Sequence, residues 1–476
     1  MRSIQRRTRQ QDAGTQRSRP RARLIGVAVL SAAAIAAGAI TAANTLASGS
    51  PASVRHLALD PIRISPGVHN GRTSPSAPVG GLTPTQIRAA YDLPPLTQLT
   101  KPGPLTGVTG KGQTIVIVDS FGSPTIASDL AHFDHFFRVP PPPSFRVIQP
   151  AGKVPRYHPS NSNRSGWAAE TTLDVEWSHV MAPGASIVLV ETPTSENEGT
   201  TGFPQIVTAE QYVLRHKLGQ VISQSFAATE QTFSRKSDYA AIRNLRGAYL
   251  LANSDHVTVL AATGDEGATS YKYNMVDEYT TPAVSWPATD PLVTAVGGTQ
   301  LSLRAGGVRK SPDVAWNDSG GGRSIVFDRP SYQDSVRGVT GRHRGVPDVS
   351  MDASCNSSVA IYGSFYGSRR GEWSPICGTS LATPLFAGIV ALAYQYAHQH
   401  GGHALGLINP ALYQIEARHE RGLVDITKGN NSQTVTNGGK TYEVTGFSAG
   451  KGYDLVTGVG TIDARYFVPE LAKLAG

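Results

Sequence analysis

Five short apolar runs, at 112–119, 187–190, 221–225, 257–262 and 292–296, recur along the chain with longer stretches of helical period between them. The helical stretches fall at 125–137, 168–180, 204–218 (where Gly219 supplies a stop) and 237–253. Runs this short and this apolar suit strands covered on both faces, as parallel sheets require. Their alternation with helices of about ten to fifteen residues predicts an α/β fold, a central mostly parallel sheet with helices on both faces. In such sheets functional groups collect in loops beyond the carboxyl ends of the strands.

A second feature follows the alternating region. Gly378-Thr379-Ser380 opens a long apolar helical pattern running to His400, with Pro384 four positions after the serine. Proline is tolerated in a first helical turn, so Ser380 is expected at or just before a helix N-terminus. Free N–H groups and the positive dipole end there favour developing negative charge. Ser380 is thus either a nucleophile or the N-cap serine of a core helix.

Three acids fall where such a fold makes them available. Glu170 and Asp174, in A-A-E-T-T-L-D-V-E-W, are four apart and share a face of the predicted helix. Leu173, Val175 and Trp177 make that helix apolar around them, which suggests a partly buried pair with one raised pKa rather than two solvated acids. Asp265 follows the run at 257–262 directly, in T-G-D-E-G, on a tight loop at a strand's carboxyl end. A carboxylate capping that turn is the ordinary alternative. No H-G-T-type segment lies between Asp119 and Ser380 to supply a histidine base, and His400 and His403 come after the serine at the wrong end of a helix. A carboxylate base suits acidic conditions, where imidazole is protonated and accepts nothing.

The formal net charge of +8 would suit a nucleic-acid partner, but its distribution excludes one. Eight arginines lie in the first 23 residues against one acid, Asp12, and the remainder is close to neutral. These arginines precede an apolar and alanine-rich run reaching Ala47, so residues 1–47 read as an export signal, or as an uncleaved membrane anchor at 24–47. Residues 48–81 are rich in Pro, Ser and Gly and read as a flexible leader; one domain follows, 82–476. In an exported chain Cys355 and Cys377, on two segments expected to form a hairpin about 367–368, are expected to pair as a disulfide, with two buried thiols as the alternative.

Taken in order, G-W-A-A-E-T-T-L-D-V-E-W, A-A-T-G-D-E-G, W-P-A-T-D-P-L-V-T-A-V-G-G-T, W-N-D-S-G-G-G, R-G-V-P-D-V-S and C-G-T-S-L-A-T-P-L-F-A-G resemble the sedolisins, or serine-carboxyl peptidases. The resemblance covers residues 82–474. It implies a subtilisin-like fold and a secreted, monomeric peptidase acting on polypeptides, either within the chain or by releasing tripeptides. It further implies Ser380 as nucleophile, Glu170 as general base and acid, Asp174 as its hydrogen-bonding partner, and Asp265 as a protonated oxyanion donor. One structural Ca²⁺ is implied, held by the Asp425 and Asp454 carboxylates and the carbonyls of Ile426, Gly450 and Gly452, in V-D-I-T and G-K-G-Y-D. The chain departs from the family pattern at three points. Only the short leader stands before residue 82, where a large folded propeptide is common. Asp119 stands where several relatives have glutamate, and Phe226 where they have tryptophan, so a truncated outer hydrogen-bond network is expected. A pseudoenzyme on the same scaffold and a histidine-based subtilisin-type enzyme are the rival readings.

Overall fold

A computed structural model describes residues 63–64, 78, 80–196, 198–233, 236–366 and 371–475. The expected signal or anchor at 1–47, most of the leader at 48–81 and the expected turn at 367–368 lie outside the described residues. Eight strands build the main sheet: β1 (Thr114–Ser120), β2 (Phe145–Ile148), β3 (Ser186–Thr192), β4 (Val221–Gln224), β5 (Thr258–Ala262), β6 (Thr294–Gln300), β7 (Val314–Ala315) and β8 (Val349–Asp352). Their order is β7-β6-β5-β4-β1-β3-β2, with β8 also pairing β6; every pairing is parallel except β7 with β6. The α/β expectation holds.

The period of two along each strand explains why both faces need helices. Ile115 and Ile117 of β1, with Ile187 and Leu189 of β3, enter one core, while Val116, Val118, Val188 and Val190 enter the other. Helices α1 (Ile126–Phe137), α2 (Ser162–Met181), α6 (Thr379–Gln399) and α7 (Ala464–Ala475) cover the first face. The second is covered by α3 (Phe203–Arg215) and α5 (Gly247–Ser254), with α4 (Lys236–Leu245) preceding α5. The single helix expected at 237–253 is therefore two, interrupted at Arg246 before Gly247. Helix α6 is long and apolar enough to cross a membrane, but 94% of its most apolar window is buried inside the protein.

Helices α2 and α6 pack against each other where α6 carries Gly388 and so presents no Cβ. A Cβ at Gly388 would meet Met181 Cβ at 2.4 Å and the Ser178 carbonyl at 3.0 Å. Gly388 lies two turns beyond Ser380, and Ser178 two turns beyond Glu170, so the helices run side by side in matched register. That register brings Glu170 to Ser380. Gly388→Ala is expected to push the helices apart, lowering stability by about 1–3 kcal/mol and reducing kcat as well. Urea unfolding and turnover of the same variant check it, and a variant with wild-type values for both would contradict this view of the packing.

Cys355 and Cys377 form a disulfide with Cα atoms 4.9 Å apart. The antiparallel strands Val359–Gly363 and Glu372–Cys377 form the expected hairpin arms, but Cys355 sits in a 3₁₀ turn, Cys355–Ser357, before the first arm. The bridge thus ties that turn to the residue preceding Gly378. Leader residues Arg63–Ile64 add a short antiparallel strand on the same arm, with Arg63 opposite Cys377.

Candidate active site

Ser380 is the second residue of α6 and is buried, 2% exposed. The turn before the helix depends on Gly378, whose φ of +129° is left-handed territory that a side chain would strain. Pro384 lies one turn deeper than its spacing suggests, as the sixth helical residue. Its missing N–H would have bonded the Ser380 carbonyl, so the helical ladder is opened at the serine itself.

Helix α2 begins earlier than its periodicity indicates, at Ser162, because Asn161 caps it: its side-chain oxygen accepts from the Arg164 N–H at 3.0 Å. Glu170 and Asp174 are fully buried on this helix. The Ser225 hydroxyl donates to Asp174 Oδ1 at 3.1 Å. Both oxygens of Glu170, Oδ2 of Asp174 and both oxygens of Asp119 meet no donor among the described residues. Burial first, then the mutual repulsion of these three carboxyls, holds Glu170 and Asp174 well above the usual carboxylate range. Asp119, near the end of β1, is pushed up to about 7 by burial and Glu191, with the Thr171 hydroxyl, close but outside formed hydrogen-bond geometry, partly opposing the rise. A proton held between neighbouring carboxyls satisfies two of these oxygens at once. The Ser380 hydroxyl comes near enough to Glu170 to offset part of its rise, yet outside formed hydrogen-bond geometry. Such contacts commonly tighten when substrate binds.

Asp265 approaches from the loop after β5. Its Oδ1 accepts from the Thr379 N–H at 2.7 Å and lies 2.9 Å from the Thr379 hydroxyl, which fixes the carboxyl against the first residue of α6. The glycine loop at 320–322 backs this turn: Gly320 donates to the Gly264 carbonyl at 2.9 Å, and a Cβ there would meet the Thr263 carbonyl at 2.2 Å. A solvent-open cavity lies beside Ser380 and Asp265. No histidine lines it among the described residues. Ser380, Glu170, Asp174 and Asp265, expected from sequence to act together, are gathered at one place from α6, α2 and the β5 loop.

Asp119 reaches the pair electrostatically but not by a formed hydrogen bond, as its side chain, one methylene shorter than glutamate, allows. Phe226 is buried, lines the cavity and packs edge-on against Phe203. Sequence reasoning missed the partners Ser225 and Thr379, and also Glu196 and Glu198, which line the cavity and are pushed up to about 8 and about 7 by burial. The last two follow β3 at a strand's carboxyl end, a position where functional groups collect, but no motif marks them in the sequence.

The native protein therefore binds more protons than the unfolded chain between about pH 4 and pH 8, and its stability must fall as pH rises through that window. Thermal unfolding at pH 4.5 and 7.5 is expected to give the higher Tm at pH 4.5. The reverse order would mean that these carboxyls are not buried as described.

The two candidate calcium carboxylates each meet one of the candidate glycines in the C-terminal region. Asp425 Oδ2 accepts from the Gly452 N–H at 3.1 Å, and Asp454 Oδ2 from the Gly450 N–H at 2.9 Å. Asp454 Oδ1 is fixed by the N–H groups of Val456 and Thr457. Gly452, at φ +76°, turns the chain between the two acids. No group of three or more His, Cys, Asp or Glu side chains able to hold a metal occurs among the described residues. Two carboxylates with three main-chain carbonyls are nonetheless an all-oxygen set that fits a hard divalent ion, carbonyls making up the number.

A family model described as the subtilase family matches residues 162–414. Kumamolisin of Bacillus sp. (strain MN-32) is 31% identical over 414 residues, 84% of this chain and 65% of that one. Tripeptidyl-peptidase 1 of Bos taurus is 30% identical over 393 residues, 80% of this chain and 62% of its own. The chain thus spans 62–65% of the length of these curated relatives. Among solved structures, Pseudomonas sedolisin, a serine-carboxyl proteinase complexed with two molecules of pseudo-iodotyrostatin, aligns with a TM-score of 0.66 at 25% identity, covering 84% of this chain and 100% of that one.

Proposed function

As the chain belongs to the subtilase family and is a homologue of the sedolisin-type peptidases, we propose that it cleaves polypeptides through a serine nucleophile served by a carboxyl base. The observation that carries this reading is the buried Glu170–Asp174 pair facing Ser380 at a helix N-terminus, with Asp265 fixed beside it on an open cavity.

Ser380 Oγ attacks the scissile carbonyl carbon while Glu170 takes the hydroxyl proton. Asp174, held by Ser225, orients Glu170 and shares the proton that the crowded carboxyls retain. The oxyanion forms at the N-terminus of α6, where free N–H groups favour it. Asp265 donates to it as a neutral acid; because Oδ1 accepts from Thr379, the proton belongs on Oδ2. Glu170 then returns its proton to the leaving amine, giving an acyl-enzyme, and the same groups activate water to hydrolyse it. The raised carboxyls move the working range toward the upper part of the acidic region, since Glu170 must lose its proton to act as base.

Hydrolysis of denatured protein from pH 3 to 8 tests the reading against a Ser380→Ala control. Activity in the acidic range, lost in the variant, is expected; full activity in the variant would overturn it.

Export into an oxidising compartment is part of the proposal, supported by the Cys355–Cys377 bridge. Calcium is proposed to join the Asp425 and Asp454 loops, a structural contribution with no part in the bond-breaking steps. A calcium chelator is expected to lower Tm by several degrees in the native protein and to have no such effect on Asp454→Ala. An unchanged Tm in the native protein would remove calcium from the proposal.

A further inference from the structure

The cavity beside Ser380 is acidic beyond what the proposed chemistry uses. Glu196 and Glu198 stand on its wall, contributed by the loop after β3, and no lysine or arginine lines it among the described residues. Glu198 is held in place: its Oε2 accepts from the Thr229 N–H at 2.9 Å and the Thr232 hydroxyl at 3.1 Å, and its Oε1 from the Thr229 hydroxyl at 3.0 Å. Glu196 is not fully satisfied. It is 1% exposed, and its Oε2 meets no donor among the described residues. A buried carboxyl oxygen without a donor is costly, and a cationic group entering the cavity would supply the missing donor. Phe226 offers an apolar wall in the same cavity, suited to an alkyl stem leading to a polar head.

We propose that this cavity selects a lysine or arginine side chain adjoining the scissile bond, its cation meeting Glu196 and Glu198 and its methylenes lying along Phe226. The proposal rests on the peptidase reading above. A cavity bounded by both Ser380 and Asp265 receives a side chain next to the reacting carbonyl, because both residues act on that one group. Burial keeps both glutamates toward their neutral forms, and the carboxyls acting on them, Asp119 and Glu266, add to the effect. An incoming ammonium or guanidinium reverses that balance and draws them to carboxylates. A glutamate side chain in the same place would meet only like charge.

The test uses peptides acetylated at the N-terminus and amidated at the C-terminus, with lysine, arginine, norleucine or glutamate placed before or after the cleaved bond. At one of the two positions lysine and arginine are expected to exceed norleucine in kcat/KM by about tenfold or more, with glutamate poorest. The lysine-to-norleucine ratio is expected to fall toward one in Glu196→Gln and in Glu196→Gln/Glu198→Gln; the ratio, not the absolute rate, is the readout. Norleucine equal to or better than lysine at both positions in the native protein would overturn the proposal. So would cleavage confined to unblocked peptides regardless of side chain, which would assign the cation to the α-ammonium group. If no peptide is cleaved, the peptidase reading fails separately, and calorimetry with n-butylguanidinium decides the cavity. Binding lost in Glu196→Gln upholds the cation site, and equal or absent binding rejects it.

Discussion

Glu170→Gln is expected to lower kcat by about 100- to 10,000-fold, the usual contribution of a general base, with little change in KM. Glutamine keeps the size of the side chain and its place on α2 but cannot take the Ser380 proton. A misfolded variant would also lose activity, so stability is the discriminating companion. Glu170 is held well above its ordinary pKa by burial and by Asp174 and Asp119, so its ionised form destabilises the native state. Removing that charge should leave the variant at least as stable as the native protein at neutral pH. Steady-state kinetics and thermal unfolding on one preparation check both halves. Activity retained, or lost together with the fold, would contradict the role assigned to Glu170.

Asp265→Ala is expected to cost about 100- to 1,000-fold in kcat, the usual effect of losing one oxyanion donor. Asp265→Asn separates donation from charge. An amide donates at every pH, and its carbonyl can still accept from the Thr379 N–H, which now binds Asp265 Oδ1 at 2.7 Å. The Asn variant should therefore keep more activity than the Ala variant and extend it to higher pH, because its donor no longer ionises. Equal losses, with the alkaline side of the pH profile unmoved, would mean that Asp265 serves α6 only as a cap.

Much of this arrangement can be read from the chain because its determinants are local. Apolar runs within Thr114–Ser120, Ser186–Thr192 and Thr258–Ala262 mark central strands, and a spacing of four puts Glu170 and Asp174 on one helical face. Local patterns fail where a tertiary partner decides. The start of α2 depends on the Asn161 cap, which lies outside the apolar periodicity. The depth of Pro384 in α6 depends on where Gly378 turns, and its spacing from Ser380 fits a first or a second turn equally well. The pairing of Asp174 with Ser225 joins residues 51 apart, and that of Asp265 with Thr379 joins residues 114 apart. Glu196 and Glu198 sit in a loop with no motif of its own; only the sheet, by ending β3 beside the cavity, makes them part of the site.

Trapping the acyl-enzyme reaches the central claim most directly. Native protein turning over a good peptide substrate is quenched in strong acid and analysed by intact mass and peptide mapping. The expected result is an added acyl group carried on Ser380, present during turnover, gone when substrate is exhausted and absent in Ser380→Ala. Turnover with no acyl group at any time, or with the group on another residue, would contradict a mechanism built on Ser380.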